Sequence, residues 1–145
     1  AQAASATHPW ARLTAIVFLV ILGLRALAGG LMLVTTPDGS SMGFELSLLS
    51  SSPFPDYLVP GLVLGGLFGI GSLVVALMSI RNQPSAPYLA FAIGCAQMIW
   101  IVVELAMIGT FSVLHPAMFL VGAVIAVSSA VWGWPSFVAW RSSRA

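Results

Sequence analysis

Hydrophobic and polar positions along the 145-residue chain do not alternate with the short periods of a soluble protein. They separate into four long apolar blocks, at 13–34, 57–80, 86–109 and 117–140, with polar intervals between them. A helix needs about 20 apolar residues to cross a hydrocarbon core, so each block predicts a membrane span. The second and third intervals are only a few residues long, which makes consecutive spans antiparallel neighbours. The expected fold is all-α: a single transmembrane four-helix bundle over residues 1–145, with a folded outer loop at 35–56 between the first two helices.

The first block is approached through His8-Pro9-Trp10-Ala11-Arg12, an aromatic and a cation suited to a membrane interface. Its apolar run is longer than the roughly 7–15 residues of a signal-peptide core, so a retained span is expected. In the following loop, Pro37-Asp38-Gly39 is a turn signal. Met42, Phe44, Leu46, Leu48 and Leu49 then return apolar side chains among polar ones. Such a piece is expected to lie along the membrane surface or fold back over the bundle. In the second block Gly61, Gly65 and Gly69 recur every four residues, two overlapping GxxxG patterns that predict close helix packing. That packing is expected within the chain or at a dimer or partner interface. The fourth block carries Gly122, Ala126, Ser128, Ser129 and Ala130 for helix contact. Trp132, Trp134 and Trp140, with Trp10, are expected to form an aromatic belt at one membrane face.

Composition narrows the class. With 59% hydrophobic and only 6% charged residues, a water-facing surface cannot be assembled, and a soluble domain is excluded. The net charge of +1 offers no basic patch, so no nucleic-acid partner is expected. Arg12, Arg81, Arg141 and Arg144 fall on one side of a four-span chain, and the opposite loops carry no Lys or Arg. The positive-inside rule therefore predicts both termini in the cytoplasm and the acidic 35–56 loop outside. Cys95 is the single cysteine, and His8 and His115 sit far apart at span edges, where they read as interfacial histidines. No disulfide, metal site or cofactor is expected.

Three strongly polar side chains interrupt the blocks: Arg25 in the first, Gln97 and Glu104 in the third. A charge at the centre of a span costs roughly 2.5–3.5 kcal/mol on insertion scales and calls for a partner. At the helical rise, Arg25 is about 14 Å and Glu104 about 8 Å below the outer ends of their spans. Gln97 precedes Glu104 by seven residues and shares its face. Arg25, Glu104 and Gln97 are thus expected to form one polar seam open to the outside. The seam reads as an ion pair fixing helix register, as a protonatable Glu104 or ligand counter-charge, or as a pair completed by another subunit.

The segment Pro37–Gly66, PDGSSMGFELSLLSSSPFPDYLVPGLVLGG, contains S-P-F-P-D-Y-L-V-P-G-L. It resembles a family of small, mostly uncharacterised four-helix bacterial integral membrane proteins to which no activity is attached. The layout is also distantly similar to the DoxX-like superfamily, some of whose members work beside quinone or thiol-oxidising systems. This chain has one cysteine and no second redox residue. Small multidrug resistance transporters share the four spans but carry their carboxylate in the first, where this chain has Arg25. The resemblance implies the four-helix layout and a bacterial cytoplasmic membrane.

No HExxH, GxSxG, P-loop or paired-carboxylate signature is present, so no enzyme is expected. The function expected is an accessory, assembly or stabilising subunit of a larger membrane complex. The competing expectation is an autonomous small transporter or ligand-binding membrane protein using Arg25 and Glu104. The partners expected are the lipid bilayer and either other membrane subunits or a second copy of the chain.

Overall fold

The computed structural model describes residues 8–50, 52–108 and 113–144. These form four long helices: α1 (Pro9–Thr35), α2 (Leu58–Ile80), α3 (Ala86–Ile108) and α4 (Leu114–Arg144). All four are long and apolar enough to cross a membrane, the arrangement of a multi-pass membrane protein, and no strand occurs among the described residues. Helix α1 starts four residues before its apolar block because Pro9 occupies a first-turn position, where a missing N–H costs nothing. Helix α4 outruns its block at both ends, with Pro135 inside it.

Ring order follows chain order. α1 packs on α2 and α4, α3 packs on α4 and α2, and α1 and α3 barely touch across the diagonal. One end of the bundle carries the α1–α2 loop; the other carries His8, Arg144 and the 81–85 turn. These are called here the loop end and the turn end. Their charges differ in sign: Arg12, Arg81, Arg141 and Arg144 lie at the turn end, whereas Asp38, Glu45, Asp56 and Glu104 lie at or near the loop end.

Small residues set the helix spacing. The buried positions of α1 include Ala11, Ala15, Gly23, Ala26 and Gly30, a stripe of small side chains along one face. Gly30 meets Gly65 of α2 so closely that a methyl there would lie 2.5 Å from the Gly65 Cα. Gly61 faces Leu33, and a methyl on Gly69 would lie 2.9 Å from the Leu27 Cα. Four residues of α-helix overshoot a full turn by about 40°, so glycines at that spacing drift off one face. Between Leu64 and Ile70 the helix becomes a π-helix, whose wider turn takes up the drift. Gly61, Gly65 and Gly69 therefore all meet α1. The α3–α4 pair is equally close: a methyl on Gly94 would lie 2.6 Å from the Ala126 backbone nitrogen.

Between these pairs Leu19, Leu22, Phe68, Val75, Ile93 and Ile125 form the main core. Trp132 is buried among Ala11, Ala15 and Ala86 at the turn end, so it belongs to the core rather than the expected aromatic belt. Its helical position explains this: it follows Ile125, Ser128 and Ser129 on the inward stripe of α4. Trp10, Trp134 and Trp140 remain exposed at that end. The outside of the bundle presents Leu13, Val17, Leu31, Ile70, Ile99 and Leu120, an apolar exterior suited to lipid rather than water.

Arg12 ties the turn end together. Its guanidinium donates to the carbonyls of Ser79 and Ile80, each at 2.9 Å, capping the last turn of α2. At the loop end, Tyr57 closes the α1–α2 connection. Its N–H donates to the Pro37 carbonyl and its hydroxyl to the Glu45 carbonyl, both at 2.8 Å. Gly39, at φ 82°, lets the chain pass beside the Tyr57 ring, where a Cβ would lie 2.8 Å from Cε2. Asp38 accepts from the Ser40 N–H and hydroxyl, which holds its carboxyl below the usual range.

Two substitutions distinguish packing glycines from incidental ones. Gly30→Val is expected to destabilise the bundle by about 1–3 kcal/mol. Gly66→Ala, with nothing within 4 Å of the added methyl, is expected to change stability by less than about 0.5 kcal/mol. Thermal unfolding in detergent measures both. Arg12→Leu, which removes both guanidinium donors from the end of α2 and leaves the Ser79 carbonyl only the Asn82 N–H, is expected to lower the same midpoint by more than Arg81→Leu does, because Arg81 is exposed.

Candidate functional site

Polar chemistry concentrates at the loop end. Glu104 stands one turn from the end of α3 and is half-buried. His115 is in the first turn of α4, also half-buried, and lies within electrostatic reach of the Glu104 carboxylate. Tyr57, 3% exposed, senses the same carboxylate from the start of α2. Burial first, and the Glu104 charge second, push the Tyr57 phenol above its ordinary range. The single-turn helix Leu46–Leu49 packs against α3, so the loop lies across this end of the bundle. The starts of α2 and α4 thus place a phenol and an imidazole each within electrostatic reach of a carboxylate on α3, at the end of the bundle that the loop covers. Such a set can exchange a proton or bind a cationic or hydrogen-bonding group. Among the described residues, no group of three or more His, Cys, Asp or Glu is arranged to hold a metal ion.

Gln97 lies deeper on α3. It is 2% exposed, its Cβ and Cγ pack at Gly122, and its Oε1 has no hydrogen-bond partner. Cys95 beside it is half-buried and free. At the turn end, Pro84, Tyr88, Ser136, Phe137 and Trp140 line an open notch of about 480 Å³, and the Arg144 guanidinium stacks 4.9 Å over the Trp140 ring.

Arg25 is not part of this arrangement. The pairing expected from depth alone is not made: Arg25 is exposed and forms no ion pair or hydrogen bond with any described residue. Two physical reasons combine. Helices α1 and α3 occupy opposite corners of the ring. Arg25 also precedes Ala26 of the inward stripe by one residue, which turns it about 100° away from the core. Depth differs too. Leu27 lies level with Gly69, and Phe68 meets Trp100 at a tilt with ring centroids 5.6 Å apart, so Arg25 lies roughly 10 Å further from the loop end than Glu104. Of the three residues expected in one seam, Gln97 and Glu104 share α3, and Arg25 stands apart on the outside of α1. The stripe Ala11, Ala15, Gly23, Ala26, Gly30 carries the signal that excludes Arg25 from the interior. His115 and Tyr57 join Glu104 only through helix packing and have no counterpart in local sequence.

Comparison with protein-family models, with curated proteins and with solved structures finds no match to this chain.

The Tyr57 environment has a measurable consequence. In an ultraviolet absorbance titration of the detergent-solubilised protein, Tyr57 is expected to ionise above the usual tyrosine value of about 10. Glu104→Gln should move that midpoint down only part of the way, since burial is the larger cause. A phenol whose folded pKa is raised contributes stability that is complete below about pH 10 and is lost as pH rises through the folded value. Tyr57→Phe should therefore flatten the alkaline limb of the stability profile.

Proposed function

We propose that this protein is a non-enzymatic subunit of a larger membrane complex in a bacterial cytoplasmic membrane, serving its assembly or stability. The observation that carries this reading is Arg25. Ten residues from the end of α1, about 15 Å along the helix, it projects from the apolar exterior without a described partner. Ionisable residues inside spans almost always face a protein interior or pair with one another. A lipid-facing arginine at this depth costs roughly 2.5–3.5 kcal/mol on insertion scales, a cost removed when another chain covers it. The apolar exterior and the small aqueous surface support the same reading.

The arginines at the turn end support an orientation with that end and both termini in the cytoplasm. The loop and the Glu104, His115 and Tyr57 group then face outward. That group supports a second reading, an autonomous transporter or ligand-binding protein using Glu104 at its outer mouth.

Native size separates the two. Extracted in mild detergent from its own membrane, the protein is expected to migrate in an assembly with stoichiometric partner chains identified by mass spectrometry. Migration as a lone monomer or dimer would overturn the subunit reading and favour the transporter. Orientation is checked with Cys95 replaced by Ser. A membrane-impermeant maleimide is expected to label Ser47→Cys in intact cells, and Gln83→Cys only after lysis.

A further inference from the structure

The exterior of α1 around Arg25 has a regular pattern. Phe18, Ile21, Arg25, Ala28 and Met32 recur at alternating intervals of three and four residues. That is the heptad spacing of a helix seam that receives a second helix. Phe18 is half-buried where it packs against the main core, and the other four are exposed, so from Ile21 to Met32 the seam runs along the outside of the bundle. Small Ala28 follows Arg25 by one turn, which leaves room for a neighbouring backbone to approach the guanidinium. Apolar residues flank the charge above and below, and no described group of the chain neutralises it.

We infer that this seam is the docking surface for a transmembrane helix of a different protein, carrying an Asp or Glu at the depth of Arg25. The inference rests on the subunit reading and specifies the partner's chemistry. Charge selects the occupant. A second copy related by a two-fold axis and docked seam to seam would set Arg25 against Arg25 at equal depth, a like-charge contact in lipid. A copy docked in any other way has Glu104 to offer. That carboxylate lies roughly 10 Å nearer the loop end, within electrostatic reach of His115. Such a head-to-tail contact would build a ring or an open filament rather than a two-fold dimer. A lipid phosphate stays at the headgroup level, whereas Arg25 lies about 15 Å down its helix. A partner carboxylate at the same depth forms a charge-assisted, bidentate pair with the guanidinium and removes both buried charges from lipid.

The test uses the full chain in its native membrane with a benzophenone amino acid placed at Ile21 or Ala28, and at Ile99 on the far side of the bundle as control. The expected result is a cross-link from positions 21 and 28, absent from 99, to a membrane helix of another protein that contains Asp or Glu. Arg25→Gln should abolish co-elution of that partner in mild detergent, with unchanged thermal unfolding of the released subunit. Arg25→Glu should be rescued by replacing the partner's carboxylate with Arg. Cross-linking to a second copy, or to lipid alone, would overturn the inference. So would an assembly that survives Arg25→Gln or is cross-linked only from position 99; in those cases the subunit reading stands and only the docking face is wrong. A chain that migrates alone sinks both.

Discussion

Backbone contact at glycine is the constraint on which this bundle depends. Lipid tails are as apolar as leucine, so burying leucine between helices gains little in a membrane, and close packing must supply the attraction. Gly30 against Gly65, and Gly94 against Ala126, bring two pairs of helices to distances that no larger side chain permits. The α1–α2 and α3–α4 pairs are fixed by these contacts, and the larger residues Leu19, Leu22, Phe68, Ile93 and Ile125 fill the space between the pairs. The π-helix at Leu64–Ile70 serves the same requirement, since it keeps three glycines on one partner where a regular helix would rotate them away.

Much of this architecture is written locally. Block length marks the spans, because bilayer thickness and helical rise are fixed quantities. The helix ends are less legible. Apolar runs stop where polarity begins, whereas α1 continues back to Pro9 and α4 onward to Arg144 through residues that are helical but not apolar. The site was legible only in part. Counting residues along a helix gives depth but not azimuth, and the expected Arg25–Glu104 pair used depth alone. Azimuth was recoverable from the small residues at 11, 15, 23, 26 and 30, which define the inward face and leave Arg25 outside it. The meeting of Glu104, His115 and Tyr57, and the contact of Arg12 with Ser79 and Ile80, join residues far apart in sequence. No local pattern encodes them.

Polar groups in the bundle follow one rule with two kinds of exception. Most are either at the ends or bonded within their own helix, as Ser79 is to Val75 and Ser128 to Val124. Gln97 departs from this inside, as do Ser72 and Ser129: its Oε1 and their Oγ atoms are buried without a hydrogen-bond partner among the described residues. Arg25 departs from it outside. An interior orphan raises the free energy of the packed state itself, whereas an exterior one raises that of the isolated subunit and is relieved by association. The two therefore act on different equilibria, folding for Gln97 and assembly for Arg25.

The cap that Arg12 places on α2 fixes the α1–α2 hairpin at one of its ends. The guanidinium holds the Ser79 and Ile80 carbonyls at the turn end, Gly30 meets Gly65 within the span, and Tyr57 closes the connection at the loop end. The two helices are thereby clamped at three depths, so a slide of one along the other by a single turn would break all three contacts together.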